Sequence, residues 1–426
     1  MPTVAVQIAL YTPQTRFANM YRRSCPAMNT PFEPGHPAEL GFSPQRIRHI
    51  QTVFEAATER RHLPGAVAMV VRRGKTVLHS AIGVQDPETG QPMALDSLFR
   101  IYSMTKPIVS VAVMMLVERG LVLLGDPVAK YLPEFAEVQV VSSIRGHARL
   151  DKPLQPPTVQ DLLRHTAGLT YEILGTEPIQ RLYAEADLWT RKKTNREFSR
   201  VLAGLPLMFE PGTTYEYSRA TDLLGSLIEV VSGQTLGAFL RDNILEPLGM
   251  VDTHFDVKPE QHQRIAEPFL SCPDTGAPVE LIDIRKPYPM ESGGAGLVST
   301  VGDYARFLQC LMGGGELQGQ RILMPNTVRN MTADHLGGMP QHFTQRSGYM
   351  LARGVGFGLG FSVKLQEGLD PLPGAAGLYG WGGIGGTTFF VDPANDLFAI
   401  LLTQAPNQRD HYRPLFRTLV YAALMD

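Results

Sequence analysis

Cysteine is scarce: only Cys25, Cys272 and Cys310 occur in 426 residues. They are far apart and odd in number, so the sequence encodes neither a disulfide framework nor a cysteine metal cluster. The histidines show no HExxH spacing, and neither a metal nor a cofactor is expected. No apolar run reaches the ~20 residues of a membrane span. The longest one near a helix, residues 108–117, is interrupted at Ser110 and reads as a buried core helix. A net charge of −2 provides no field for nucleic acid or an anionic membrane. The N-terminus lacks a basic stretch before its apolar residues, and the arginines come later, at Arg16, Arg22 and Arg23. A secretory signal reverses that order, so a cytoplasmic location is expected. Also absent is a GxSxG nucleophile elbow, which removes the commonest way for an α/β-hydrolase to make an esterase.

What is present reads as an ordinary globular composition, 44% hydrophobic and 19% charged. Helical periodicity covers residues 44–60, with Ser43 as N-cap. Residues 65–71 read as a buried strand and 76–83 as its hairpin partner. The segment 99–120 opens with Ser103 and becomes an apolar helix, with Pro107 tolerated because it falls in the first turn. Between residues 126 and 314 the signals are helical and irregular, and a helix over 223–231 ends at Gly233. Strands return at 357–363, 387–391 and 397–403, and a helix over 412–424 closes the chain. Strands at both ends with helices between predict an α/β (α+β) fold. Its antiparallel sheet is built from both chain ends and flanked by helices, with a mostly helical inserted domain. The expected division is an arm at 1–40, an α/β domain at 41–125 and 315–426, and a helical domain at 126–314. Pockets favour such domain interfaces.

Three stretches carry chemistry. In Ser103-Met104-Thr105-Lys106, a serine and a lysine three apart at a helix start share one face. Free peptide N–H groups there favour developing negative charge, and a lysine in an apolar, positive setting can lose its proton and act as base. The other reading is a helix-capping serine followed by a surface lysine; placement before a very apolar helix favours the first. In Glu210-Pro211-Gly212 through Tyr215-Glu216-Tyr217-Ser218, a turn presents Tyr217 before the next helix. Taken by itself, that tyrosine reads more readily as a packed ring with its hydroxyl in water. In Tyr379-Gly380-Trp381-Gly382-Gly383-Ile384-Gly385-Gly386, glycines beside a strand allow a ligand to approach backbone closely; the alternative is a glycine-rich loop or edge bulge.

Together these stretches resemble the serine β-lactamase and penicillin-binding (transpeptidase-like) superfamily, and within it class C β-lactamases and family VIII carboxylesterases. The resemblance spans about residues 41–426. It includes the supporting stretches 162–169, 222–225, 293–300 and 357–361. It implies that Ser103 is acylated, that Lys106 and Tyr217 move the proton, and that the backbone N–H groups of Ser103 and Ile384 form the oxyanion hole. It implies that Trp381, Gly382 and Gly383 bind substrate, and that His165 and Gly168 are scaffold positions. Two departures matter. Where the family's tyrosine motif often continues Tyr-x-Asn, this chain has Arg219. Where β-lactamases and peptidases place Lys or His and then Thr-Gly, it has Trp381-Gly382-Gly383, as family VIII esterases do. The expected protein is therefore a serine carboxylesterase for small-molecule, short-chain esters, with weak cephalosporin hydrolysis as a side activity. The other readings are a class C-like β-lactamase, an amide hydrolase or an acyltransferase on the same scaffold, or a non-catalytic ligand-binding relative. Lys106 and the helix N-terminus are expected to lower the Tyr217 pKa from its ordinary ~10.

Overall fold

A computed structural model describes residues 32–144, 147–341 and 351–426; the arm up to residue 31, with Cys25, lies outside them. Among the described residues, eight strands form one antiparallel sheet. They are β1 (Gly65–Arg72), β2 (Lys75–Asp86), β3 (Gln91–Pro92), β4 (Val355–Phe357), β5 (Ser362–Lys364), β6 (Tyr379–Gly382), β7 (Thr388–Asp392) and β8 (Leu397–Thr403). The spatial order is β4-β5-β6-β7-β8-β1-β2-β3. The two chain ends thus meet where β8 pairs with β1, from Ala66 opposite Thr403 to Arg72 opposite Leu397.

Every residue of β1 and β8 is buried, as expected for strands covered on both faces. Successive side chains point to opposite faces, and each face has its own core. Ala66, Ala68 and Val70 with Leu397, Ala399 and Leu401 pack against α1 (Pro44–Glu59) and the C-terminal helix Arg409–Ala423. Val67, Met69 and Val71 with Phe398, Ile400 and Leu402 face the helical core. That core contains α2 (Thr105–Glu118), α3 (Ala220–Ser232) and α4 (Val301–Met312); the C-terminal helix is α5. Helix α2 is buried from Thr105 through Leu116, so it is the hub on which the sheet and the helical region both pack. Among the described residues no single helix is long and apolar enough to cross a membrane.

Local chemistry sets the element ends. The Ser43 side chain accepts from the Arg46 N–H at the start of α1, and Gly233 ends α3 with a φ of 70°. The structure departs from the expected elements in three places. The single strand expected over 357–363 is the hairpin β4–β5, because the chain turns at Gly360, whose φ of 100° suits only glycine. The closing helix starts at Arg409 instead of 412. Within the region read as helical and irregular, Val140–Ile144 pairs with His147–Asp151 as a two-stranded ribbon.

Candidate active site

Ser103 lies in a short 3-10 turn, Tyr102–Met104, that leads into α2. Tyr102 holds the left-handed region, with a φ of 44°. That conformation costs a non-glycine residue of order 1–3 kcal/mol, and the surroundings impose it. The Tyr102 ring is buried, its hydroxyl accepts from the Ile282 N–H at 3.2 Å, and Gly385 lies against the ring, where a Cβ would meet it at 2.9 Å. One residue beyond Ser103, the Met104 carbonyl accepts from the Tyr304 hydroxyl of α4 at 2.9 Å. Ser103 is thereby fixed from both sides and is itself half-buried.

One turn into α2, Lys106 is almost fully buried. Its Nζ reaches three oxygens: the Gly294 carbonyl at 2.7 Å, the Tyr171 hydroxyl at 3.0 Å and Ser103 Oγ at 3.2 Å. Burial lowers its pKa to about 7; Asp222 opposes the shift and Arg219 adds to it. The alternative of a surface lysine is thus excluded by position.

Tyr217 comes from the loop before α3. Its hydroxyl is hydrogen-bonded to the Ser103, Trp381 and Tyr171 side chains, with the Trp381 indole N–H donating at 3.2 Å. The ring packs against His165, Tyr171 and Trp381 at centroid distances of 4.9, 5.3 and 5.2 Å. Burial raises its pKa to about 12, although the bonds from Ser103 and Trp381 pull the other way. This reverses the expected direction: loss of water outweighs the neighbouring donors. His165 is a clamp for this loop. Its Nδ1 bonds Ser218 Oγ at 3.1 Å, and its carbonyl accepts from the Glu216 N–H at 2.9 Å. Burial and then Lys106 hold its pKa well below the ordinary histidine value.

The glycine stretch is a β6–β7 hairpin. Its turn is closed by Gly386 N–H donating to the Gly383 carbonyl at 2.9 Å. A Cβ on Gly383 would lie 2.3 Å from the Ile101 carbonyl, so the turn abuts the chain just before Ser103 only because that residue is glycine. Ser103, Tyr217, Trp381, Gly382 and Ile384 all line one cleft of about 220 Å³. Its outer wall is apolar at Leu372, Leu378 and Phe390, and Arg409, Arg413 and Arg417 of α5 border it.

Four groups at the site were not read from the sequence as functional. Tyr171 lies two residues beyond the stretch 162–169, and nothing local marks its hydroxyl as a partner of Lys106. Asp222 accepts from Ser292 Oγ at 2.5 Å and from the Gly294 N–H at 2.9 Å, so it holds the peptide whose carbonyl binds Lys106. Arg219 turns toward Glu172, through Nε at 3.2 Å, and toward Asp222 at 3.4 Å. Its guanidinium lies over the Tyr171 ring at 4.7 Å. Two carboxylates thus take up its charge, and it does not replace the missing asparagine. Arg413 is the fourth.

An antiparallel sheet built from both chain ends and covered on both faces, with a serine and a lysine opening a buried helix beside a glycine turn, defines a serine hydrolase of the β-lactamase fold. The chain belongs to the β-lactamase family, which it matches over residues 50–422. Among its relatives, esterase EstB of Burkholderia gladioli is 34% identical over 377 residues, covering 83% of this chain and 89% of EstB. The solved structure of EstCE1, a hydrolase with promiscuous acyltransferase activity, superposes with a TM-score of 0.72 at 26% identity, covering 90% of this chain and 99% of EstCE1. Unliganded simvastatin synthase (LovD) from Aspergillus terreus superposes with a TM-score of 0.71 at 26% identity, covering 88% of this chain and 98% of LovD.

Proposed function

We propose that this chain is a carboxylesterase for small neutral esters that works through an acyl-enzyme on Ser103. The observation that carries the reading is the threefold environment of Lys106 Nζ. A neutral amine has two N–H donors and one lone pair. Two acceptors, the Gly294 carbonyl at 2.7 Å and the Tyr171 hydroxyl at 3.0 Å, take the N–H bonds. The lone pair is left for the Ser103 hydroxyl at 3.2 Å. With a pKa of about 7, this base is half neutral at physiological pH.

In acylation Ser103 Oγ attacks the ester carbonyl and its proton passes to Lys106. The Ser103 and Ile384 N–H groups receive the carbonyl oxygen as it becomes an oxyanion. Tyr217 stays protonated, since its pKa is about 12. It hands its proton to the departing alkoxide and regains one from Lys106 through the Tyr171 hydroxyl, which is hydrogen-bonded to both. Water then enters, gives a proton to the same pair and attacks the acyl carbon; Ser103 Oγ leaves as the restored hydroxyl. The experiment for this reading is turnover of phenyl and p-nitrophenyl esters of acetate to hexanoate. A purified enzyme that labels with a fluorophosphonate yet hydrolyses none of them overturns the substrate class.

The pH dependence follows from the directions of the two shifts. Lys106 works as the neutral amine, so kcat/KM climbs about tenfold per pH unit below 7 and levels off above it. Tyr217 works as the acid and keeps its proton across this range. A pH–rate profile from 5 to 10 checks this; a limb with its midpoint near 10 transfers the base role to Tyr217.

Substrate choice follows from Trp381. β-Lactams and peptidoglycan stems carry a carboxylate beside the scissile bond, and relatives that process them meet it with Lys or His. A charge-assisted bond of that kind contributes ~1.5–3 kcal/mol. An indole has one N–H donor, and here it is directed to the Tyr217 hydroxyl. The expected penalty against anionic substrates is therefore ~10–100-fold in kcat/KM. Phenyl esters exceed cephalosporins, and cephalosporins exceed penicillins, whose ring opening expels no leaving group. Trp381→Lys moves the ratio toward β-lactams. A β-lactam hydrolysed with higher kcat/KM than the best phenyl ester replaces the esterase reading with the β-lactamase one.

A second reading, acyl transfer to an alcohol, is favoured by the promiscuous acyltransferase activity of EstCE1. An acyl-enzyme does not distinguish water from another hydroxyl that reaches it, and partitioning between acid and ester in the presence of an added alcohol measures the balance.

A further inference from the structure

The Gly383–Ile384 peptide has two ends that face different partners. Its N–H belongs to Ile384, which lines the cleft with Ser103. Its carbonyl oxygen, on Gly383, accepts from the Gly386 N–H at 2.9 Å and also from the guanidinium of Arg413. The turn's own bond uses the Gly386 N–H and the Gly383 carbonyl, so the Ile384 N–H stays outside it. Arg413 sits one turn into α5, on the outer layer of the sheet, and reaches this carbonyl across Gly382. A Cβ at Gly382 would stand 2.9 Å from the Arg413 Cζ, so the glycine at 382 leaves the guanidinium its path.

We infer that Arg413 is a positioning residue for the oxyanion hole, acting through the Gly383–Ile384 peptide rather than by touching substrate. The inference rests on the reading of the Ile384 N–H as an oxyanion donor. A peptide is a conjugated dipole: positive charge held at its carbonyl oxygen draws electron density from the nitrogen and makes the N–H a stronger donor. The gain is largest when the acceptor carries full negative charge, so the oxyanion is favoured over the ground-state ester carbonyl. The same bond fixes the plane of the peptide, and with it the direction of the N–H. Gly383 packs against the Ile101 carbonyl and Gly385 against the Tyr102 ring, so a turn held in this plane also keeps its register against Ser103. The remaining Arg413 neighbours fit this role: Arg417 is occupied at Nε by the Pro373 carbonyl at 2.6 Å, and Arg409 at one terminal nitrogen by the Pro406 carbonyl at 2.8 Å.

The test measures kcat and KM for phenyl acetate in Arg413→Met, Arg413→Lys and Ile384→Pro, with thermal melts to verify folding. Arg413→Met is expected to lower kcat about tenfold with KM within twofold, and the fluorophosphonate labelling rate of Ser103 falls in parallel. Arg413→Lys, which keeps a cation at shorter reach, recovers part of the loss. Added guanidinium at concentrations that leave the fold intact raises kcat of Arg413→Met and leaves the wild type unchanged, a response that a purely structural defect does not give. Ile384→Pro, which deletes the N–H itself, loses more than Arg413→Met. If Ile384→Pro is impaired and Arg413→Met keeps wild-type kcat, or changes only KM, the role of Arg413 is overturned and the oxyanion reading stands. If neither variant loses kcat, the oxyanion reading falls with it.

Discussion

Ser103→Ala protein is expected to hydrolyse phenyl acetate no faster than ~10⁻⁴ of the wild-type kcat, with an unchanged melting temperature. The two halves of this result have separate causes. Removing Oγ deletes the atom that becomes acylated, and the other hydroxyl that contacts both Lys106 Nζ and Tyr217, that of Tyr171, is buried and does not line the cleft. Stability is preserved because Ser103 is half-buried at the cleft wall, and the bonds that hold its turn are made by Tyr102, Met104 and Gly385 instead of by its side chain. A melt of the variant beside steady-state kinetics checks both. Substantial residual turnover means that another group is acylated.

The second large effect is expected at the proton-handling pair. Lys106→Met and Tyr217→Phe each lower kcat by ~10²–10⁴-fold, the range of a positioned acid or base. Their signatures differ. Without Lys106 the Ser103 proton has no base, so acylation slows for every leaving group. Lys106→Met also empties the Gly294 carbonyl and the Tyr171 hydroxyl of their shared donor, and some loss of stability accompanies it, since buried polar groups without partners cost about 1–3 kcal/mol each. Without the Tyr217 hydroxyl, the leaving alkoxide lacks its proton. The loss is therefore steep for alkyl esters and shallow for p-nitrophenyl esters, whose phenolate departs unaided. A leaving-group series on both variants separates the roles. Retention of more than a tenth of wild-type kcat by either variant shows that its role is misassigned.

Legibility in the sequence divides along the range of the interaction. The Ser103–Lys106 pair was readable because three residues on a helix decide which side chains share a face. The strands β1, β7 and β8 were readable because apolar runs bounded by glycine or polar turns suit a sheet covered on both sides. Strand β2, which is only partly buried, was readable as the return of a hairpin across the Arg73-Gly74 turn. Tyr217 and Trp381 became readable only through the family resemblance; a tyrosine after a turn and a tryptophan among glycines have bland local explanations. What stayed hidden depends on side-chain direction over long separations. The Gly294 carbonyl is 188 residues from Lys106, and nothing local marks the Asp222 carboxylate that holds it. Arg219 stood beside the catalytic tyrosine in sequence, yet its guanidinium faces Glu172 and Asp222. The sign of the Tyr217 shift was also not legible. Counting nearby donors predicts a lowered pKa, and only the closure of aromatic rings around the hydroxyl reveals that desolvation dominates. The split of 357–363 into β4 and β5 was missed because its glycines also fit a bulged single strand.

The central claim is a covalent acyl group on Ser103. Its most direct test is rapid acid quench of the enzyme during turnover of p-nitrophenyl acetate, followed by peptide mass spectrometry. The account predicts an acetyl group on the peptide containing Ser103, on that residue's oxygen, which is absent in Ser103→Ala and accumulates in Tyr217→Phe if deacylation slows more than acylation. Turnover without an adduct at any residue, or an acetyl group that maps elsewhere in the cleft, contradicts it.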